Sequence, residues 1–363
     1  MSKSKVIAFY LPQFHPIPEN DQWWGKGFTE WTNVAKSRPL FRGHQQPNIP
    51  SELGFYDLRL SEPREQQALL AKEYGVDAFC YWHYWFGNGK QLLETPLKEV
   101  VKLKKPDFPF CLGWANHHWE KKSWNSDVSV FNRERLISQS YPGKQDHIYH
   151  FYEMLETFKD TRYYKIKGKL VFLIYDIRSI PNFKEFILLW QGLAINNDLP
   201  GFYFIGTAKD KYDIDYGIES GVDAMLYENL HSAISDISTN QHRLENIIAT
   251  ILKRPLSVMT YERFISRLDY SLVKENTKVY PSIYPNWDTS PRRGVAGDIL
   301  TDAKPELFQK HVSEVVSMMS LRDSDENVIF LKSWNEWAEG NYMEPDLRYG
   351  RGRLEALKAA LGK

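Results

Sequence analysis

The sequence predicts an α/β fold, a single (β/α)8 barrel over residues 1–363 with long strand-to-helix loops on its C-terminal face. Three observations predict it. Short apolar runs recur eight times along the chain, helical patterns fall between them, and the joins alternate between short and long. At 363 residues a chain could form one large domain or two ordinary ones, and barrels routinely use this length as one.

In order, the apolar runs are residues 6–11, 78–84, 110–114, 170–175, 202–206, 224–227, 279–284 and 328–331. They are nearly continuous in apolarity rather than alternating, as parallel strands covered on both faces are. After the first run, residues 62–73 carry apolar positions at helical spacing behind Ser61, a good N-cap, and Gly75 stops them. Residues 92–104, 146–158, 182–195, 240–268 and 305–319 show the same period, and 353–361 would be the closing helix. Helix-to-strand joins are short, as in Gly75-Val76-Asp77-Ala78 and its near-repeat Gly221-Val222-Asp223-Ala224. Strand-to-helix segments are long at 12–61, 115–145, 285–304 and 332–352. All four then fall on the rim where barrel enzymes build their sites.

Composition narrows the partners. Lys and Arg number 46 and so do Asp and Glu, which leaves no long-range field to attract nucleic acid or an anionic membrane. Aromatic residues make up 15% of the chain, and an amphipathic ring can stack on the apolar face of a sugar, although large cores use the same residues. Cys80 and Cys111 each lie inside an apolar run and read as buried reduced thiols. No apolar run is long enough to span a membrane. The N-terminal stretch is too short in apolar residues for a signal peptide and runs into Pro12 and Pro16. A cytoplasmic protein is the expectation.

The last run leads straight into Lys332-Ser333-Trp334-Asn335-Glu336-Trp337-Ala338-Glu339-Gly340. Two carboxylates three residues apart, just past a barrel strand, can face one substrate. Glycosyl transfer commonly uses two carboxyl groups, one to protonate the leaving oxygen and one as base or nucleophile. In an aromatic, partly dry pocket one of them is held protonated near neutral pH. A pair of glutamates in a loop is ordinarily just solvated; the Trp and Asn neighbours and the strand-end position favour catalysis by Glu336 and Glu339.

The stretch from Asn335 to Gly340, with Glu344 following, resembles the hallmark of glycoside hydrolase family 99, the endo-α-1,2-mannosidases and mannanases. The wider chain is similar to the related WbsX group of glycosyltransferases, associated with lipopolysaccharide O-antigen and capsule assembly. Carrying that similarity are Ala8-Phe9-Tyr10-Leu11-Pro12-Gln13-Phe14-His15, Gly27-Phe28-Thr29-Glu30-Trp31, Phe79-Cys80-Tyr81-Trp82-His83-Tyr84-Trp85-Phe86 and Trp114-Ala115-Asn116. Tyr284-Pro285-Asn286-Trp287-Asp288 and Pro291-Arg292-Arg293 complete it. The resemblance implies a (β/α)8 barrel and a retaining reaction without a covalent enzyme intermediate. Glu336 would take the proton of the sugar's 2-hydroxyl, whose oxygen attacks the anomeric carbon to give a 1,2-anhydro sugar. Glu339 would protonate the leaving oxygen and then activate the acceptor. Such a path suits α-mannosides and α-rhamnosides. The first loop, with Trp23-Trp24 and Gly27 to Trp31, is of the WbsX type and departs from the mannosidase pattern.

Candidate substrate-binding residues stand at the strand ends: Tyr10, Gln13 and His15 after the first, Glu30 and Trp31 in the first loop, Tyr84 and Trp85 after the second. Asn116 and His117 follow the third, Tyr227 and Glu228 the sixth, Trp287, Asp288 and Arg292 the seventh, and Trp334 and Asn335 flank the glutamate pair. Any one of them is more often packing or a loop hydrogen bond; as a ring they read as a sugar-binding cleft. Arg292 could instead hold an acidic sugar or a phosphate. His83, His117, His118 and Glu120 show neither HxH nor HExxH spacing, so no metal is expected, and with no phosphate-cradling glycine loop, no cofactor. The expected partner is an oligosaccharide or polysaccharide, with a nucleotide- or lipid-linked sugar as a candidate donor. Transfer in glycan assembly is the leading expectation, endo-acting hydrolysis the alternative, and a non-catalytic glycan-binding barrel the rival from another class.

Overall fold

Eight parallel strands close into a ring in the computed structural model, which describes residues 4–121, 134–234, 244, 247–249 and 251–363. They are β1 (Lys5–Tyr10), β2 (Ala78–Trp85), β3 (Phe110–Trp114), β4 (Lys169–Ile174), β5 (Phe202–Ala208), β6 (Ala224–Tyr227), β7 (Val279–Ile283) and β8 (Val328–Leu331). Each pairs in parallel with its sequence neighbour. β1 also pairs with β8, Lys5 opposite Val328, and that pairing seals the barrel. The outer ring is α1 (Ser61–Glu73), α2 (Thr95–Leu103), α3 (Lys144–Glu153), α4 (Phe183–Asn196), α5 (Lys211–Ser220), α6 (Ser271–Glu275), α7 (Pro305–Met319) and α8 (Gly352–Leu361). The (β/α)8 barrel expected from the apolar runs is the fold observed.

Local chemistry explains the joins. At the Gly-Val-Asp-Ala repeats, Gly75 and Gly221 adopt φ of +92° and +99°, the left-handed geometry that ends a helix. The aspartate two residues on then ties the foot of the adjoining strand: Asp77 accepts from the Val6 amide at 2.9 Å, and Asp223 from the Phe204 amide at 2.9 Å. Inside the barrel, Phe9 stacks on Trp82 with centroids 4.4 Å apart. That ring lies over Gly113, where a Cβ would come within 3.2 Å of it, so β3 needs glycine there. Cys80 and Cys111 sit opposite each other on β2 and β3, both buried and free.

Two helical expectations differ from the structure. The period over 92–104 begins only at Thr95, because Gln91–Leu92 folds back antiparallel on the end of β2. Outside the expected patterns lies α5, which Asp210 caps by accepting from the Asp213 amide at 2.9 Å. The long helix expected over 240–268 is broken. Its first part lies largely outside the described residues; beyond Pro255, Val258–Thr260 forms a strand pairing with Ile299–Thr301, and a new helix runs Tyr261–Ser266. Proline and the β-branched Val258 and Thr260 override an apolar period that a strand can also satisfy. Among the described residues no helix is long and apolar enough to cross a membrane.

Between β2 and α3 two imidazoles meet. His83 Nε2 and His150 Nε2 lie 2.7 Å apart, fully enclosed, with His150 stacked on Trp85. One ring donates and the other accepts, so both are neutral. Burial pushes His83 down to about 3 and His150 well below its ordinary range. In the unfolded chain both bind protons through the usual value of 6.5, whereas the fold refuses them. Stability is therefore full above that value and falls as pH drops towards 3, by about 1.4 kcal/mol per pH unit per group. Thermal denaturation followed from neutral to mildly acid pH is expected to show this slope, reduced in His150→Phe; an unchanged slope in that variant would mean other groups govern acid lability.

Candidate active site

Seven of the eight strand ends, all but that of β5, contribute to one groove of about 550 Å³ on the C-terminal rim. The loop after β8 shapes its centre. Asn335–Glu336 and Asn341–Tyr342 pair as a small hairpin, with the turn Trp337–Glu339 between them. Gly340 closes the turn at φ +62°, and a Cβ there would come within 2.9 Å of Asp288, so the loop after β7 can pack against it. A single turn puts Glu336 and Glu339 on one side, both facing the groove.

The hairpin is held from behind. Asn335 clasps the Leu11 backbone, accepting from its amide at 2.7 Å and donating to its carbonyl at 3.0 Å. Glu344 is buried and accepts four hydrogen bonds: Trp334 Nε1 at 3.0 Å, Trp337 Nε1 at 2.6 Å, Gln67 Nε2 at 2.6 Å and Tyr56 OH at 2.9 Å. Burial raises its carboxyl to about 7, opposed by those donors.

At the front, one guanidinium gathers three carboxylates. Arg292 donates from Nε to Glu30 at 2.7 Å and from Nη1 to Glu336 at 3.2 Å, and the same Nη1 also contacts Glu339. Two carboxylate oxygens that share one nitrogen stand close together and can face one bound molecule. Glu30 is only 1% exposed and begins the helix Glu30–Lys36, so the first loop anchors the cation. Burial, then the neighbouring Glu339, push Glu336 up to about 7, while Arg292 and Lys332 pull it down. Lys332 is paired with Glu228 and lies over the Phe9 ring. Aromatic side chains line the rest: Trp24, Phe28, Trp82, Tyr84, Trp119, Tyr175 and Trp287.

Of the residues expected at the cleft, Gln13, Glu30, Tyr84, His117, Glu228, Trp287, Arg292, Glu336 and Glu339 line it. The others do not. Tyr10 and Trp85 sit on the outward parity of their strands, where Tyr10 OH donates to Gln67 of α1 at 2.6 Å and Trp85 Nε1 to Asp146 of α3 at 3.0 Å. Tyr227 shares the outward face of Met225, which packs on Gly217 of α5. His15 is buried with Nδ1 3.0 Å from the Pro12 carbonyl, and Trp31 packs among Phe14, Tyr56 and Trp337. Asn116 ties the β3 loop to Asp176, and Asp288 accepts from Gln46 Nε2 at 2.7 Å and contacts His44 Nε2 at 3.0 Å. Trp334 and Asn335 belong to the clamp behind the hairpin. Arg292 is engaged by three carboxylates rather than open to an acidic sugar or phosphate.

Sequence reasoning missed Trp82, Tyr175, Lys332, His231 and the Trp24–Phe28 stack. Strand parity would have found Trp82, two residues from Tyr84 on the same face, and position would have found Tyr175 and Lys332, each one residue past its strand.

Fold and groove together define a (β/α)8 barrel with a two-glutamate cleft on its C-terminal rim. The chain belongs to the family described as Glycosyltransferase WbsX, whose model matches residues 6–357. It is 34% identical over 361 residues to an uncharacterized protein, WxcX, of Xanthomonas campestris pv. campestris, covering 98% of this chain and 49% of that one. The counterpart from strain B100 is 33% identical over 367 residues, again with 49% of its length covered, so the chain spans about half the length of these curated relatives. Among solved structures, a glycoside hydrolase-like protein superposes with a TM-score of 0.64 at 14% identity, covering 99% of this chain and 94% of that one. The family 99 endo-α-mannosidase of Bacteroides thetaiotaomicron gives 0.56 at 16% identity, covering 100% and 97%. At such identities the likeness is one of fold.

Two outcomes test this geometry. Glu344→Gln presents an amide nitrogen to donors that need an acceptor, and is expected to cost about 2 kcal/mol or more in urea denaturation; an unaltered midpoint would show the clamp is not what holds the hairpin. Arg292→Gln removes the cation nearest Glu336, so its carboxyl should titrate higher, seen as an upward shift in carboxyl infrared titration of the free protein. No shift would mean the ion pair does not control that group.

Proposed function

We propose that this chain is a retaining glycan-remodelling enzyme that breaks an α-glycosidic bond, α-mannoside or α-rhamnoside, and passes the sugar to another hydroxyl. The setting would be O-antigen or capsular polysaccharide assembly in the cytoplasm, with residues 1–363 as one catalytic domain. The observation that carries the reading is the glutamate pair held on one nitrogen of Arg292 inside an aromatic groove.

In this reading Glu336 takes the proton of the donor's 2-hydroxyl, O2 attacks C1, and the C1–O bond to the leaving sugar breaks as Glu339 gives that oxygen its proton. The tethered oxygen is already beside its target, which removes the entropic cost of a bimolecular step. The acceptor hydroxyl then yields its proton to Glu339 and attacks C1, while O2 leaves C1 and recovers its proton from Glu336. Two inversions give retention. A carboxyl raised by burial and by the neighbouring Glu339 is a stronger base than an ordinary glutamate, and Arg292 and Lys332 limit the rise. With water as acceptor the same steps are hydrolysis, the second reading, favoured by the shared barrel of the endo-α-mannosidase.

Glu336→Gln and Glu339→Gln are each expected to lower kcat on α-linked manno- or rhamno-oligosaccharides by about 10²–10⁴-fold while keeping binding. Glu339→Gln should recover on an aryl glycoside, whose leaving group needs no proton. A 2-deoxy donor turned over at the unmodified rate, or an inverted product, would sink the 2-hydroxyl mechanism; wild-type binding without turnover would make the barrel a lectin.

A further inference from the structure

Every described cation lining the groove is already held by carboxylates. Arg292 is bound by Glu30, Glu336 and Glu339, Lys332 by Glu228, and Arg293 by Asp298 at 3.1 Å. With Glu120, the described lining carries six carboxylates against these three cations. The carboxylate partners are enclosed: the Glu30 and Glu228 side chains are 1% and 7% exposed and that of Lys332 is 12% exposed, while Arg292 and Arg293 are 21% and 31% exposed.

A nucleoside diphosphate sugar or a lipid diphosphate sugar carries adjacent negative charges whose hydration must be replaced by charged donors. Here such a donor would have to pull Arg292 or Lys332 off its carboxylates and leave those charges buried and unpaired. The chemistry of departure agrees. A diphosphate leaves without being protonated, whereas a sugar hydroxyl leaves only as it gains a proton, and Glu339 stands in the groove to supply one.

We infer that the donor of this enzyme is itself an uncharged glycan, so that transfer is transglycosylation from one sugar hydroxyl to another and nucleotide- or lipid-diphosphate sugars are excluded from the groove. The inference rests on the two-glutamate reading of the same site. In each cycle the C1–O bond of the donor glycan breaks, its oxygen takes the Glu339 proton, and a new C1–O bond forms to an acceptor whose proton returns to Glu339. No activated phosphate enters the balance. Phosphate, sulfate or uronate groups on the donor sugar are disfavoured for the same reason.

Calorimetric titration of the full chain with GDP-mannose, dTDP-rhamnose and neutral α-manno- and α-rhamno-oligosaccharides tests it, at low and high salt. A neutral oligosaccharide is expected to bind at least about 100-fold more tightly than either nucleotide sugar. Its affinity should not change with salt, since no net charge is neutralised. An oligosaccharide incubated alone should disproportionate into longer and shorter products. Nucleotide-sugar binding that weakens with salt and disappears in Lys332→Gln, or glycan growth coupled to release of a nucleoside diphosphate, would overturn the inference and leave the two-glutamate reading standing. If neither class of ligand binds, the glycan-active reading of the groove falls, and this inference with it.

Discussion

One buried carboxylate organises the rim. Glu344 accepts two hydrogen bonds on each oxygen, Gln67 and Trp334 on Oε1, Tyr56 and Trp337 on Oε2. Its four donors come from α1, the first loop and the β8 loop, so a single group joins the opening and closing segments of the barrel. Only an ionised carboxylate offers acceptor sites on both oxygens and no donor to clash with those it meets. Burial opposes that charge, and the four donors answer the opposition. With both indoles fixed from behind and Trp337 stacked on Tyr342 at 3.8 Å, the backbone of the turn has little freedom, and Glu336 and Glu339 project forward as a set.

The front of the same hairpin has the opposite problem. Glu336 and Glu339 stand close together, and close like charges repel unless one is neutral or a cation intervenes. Arg292 intervenes, and Glu30, anchored on the first-loop helix and 1% exposed, fixes where it stands. Burial and then Glu339 raise the Glu336 carboxyl, and attraction to Arg292 and Lys332 opposes them. The first loop thus acts on both sides of the β8 hairpin, through Tyr56 behind and Glu30 in front. That double role gives its fifty residues a structural reason to be long.

The barrel was legible because its strands are covered on both faces and read as apolar runs, and because glycine and aspartate mark the turns beneath them. What the runs hide is parity. Residues such as Tyr10 and Trp85 look like rim groups when read along the chain, yet the pleat turns them to the helices, while Trp82, unremarked, faces the groove. The helix drawn through 240–268 failed for a related reason: apolar spacing cannot separate a helix from a strand when a proline and β-branched residues intervene. The position of the glutamate pair on the rim was legible because it follows the last apolar run directly. The ion pair that fixes their counter-ion was not, since Glu30 and Arg292 are separated by 262 positions and meet only through folding.

A family described by transfer and a fold shared with a hydrolase need not conflict, because both reactions pass through the same bond breaking and differ only in which hydroxyl arrives second. In the proposed mechanism that choice falls to the walls of the groove rather than to its glutamates. Trp24 stacked on Phe28, Trp119 against Tyr84, and Trp287 against His231 supply flat apolar faces around the pair. A sugar seated on such a face presents its hydroxyl at a high effective concentration and excludes water from the same volume. Burial holds His231 below its ordinary range, so the ring beside Trp287 is neutral and adds no charge for an ionic acceptor to seek. In the proposed mechanism the partition between transfer and hydrolysis follows how long an uncharged acceptor stays stacked, which is a property of aromatic packing and not of acid–base strength.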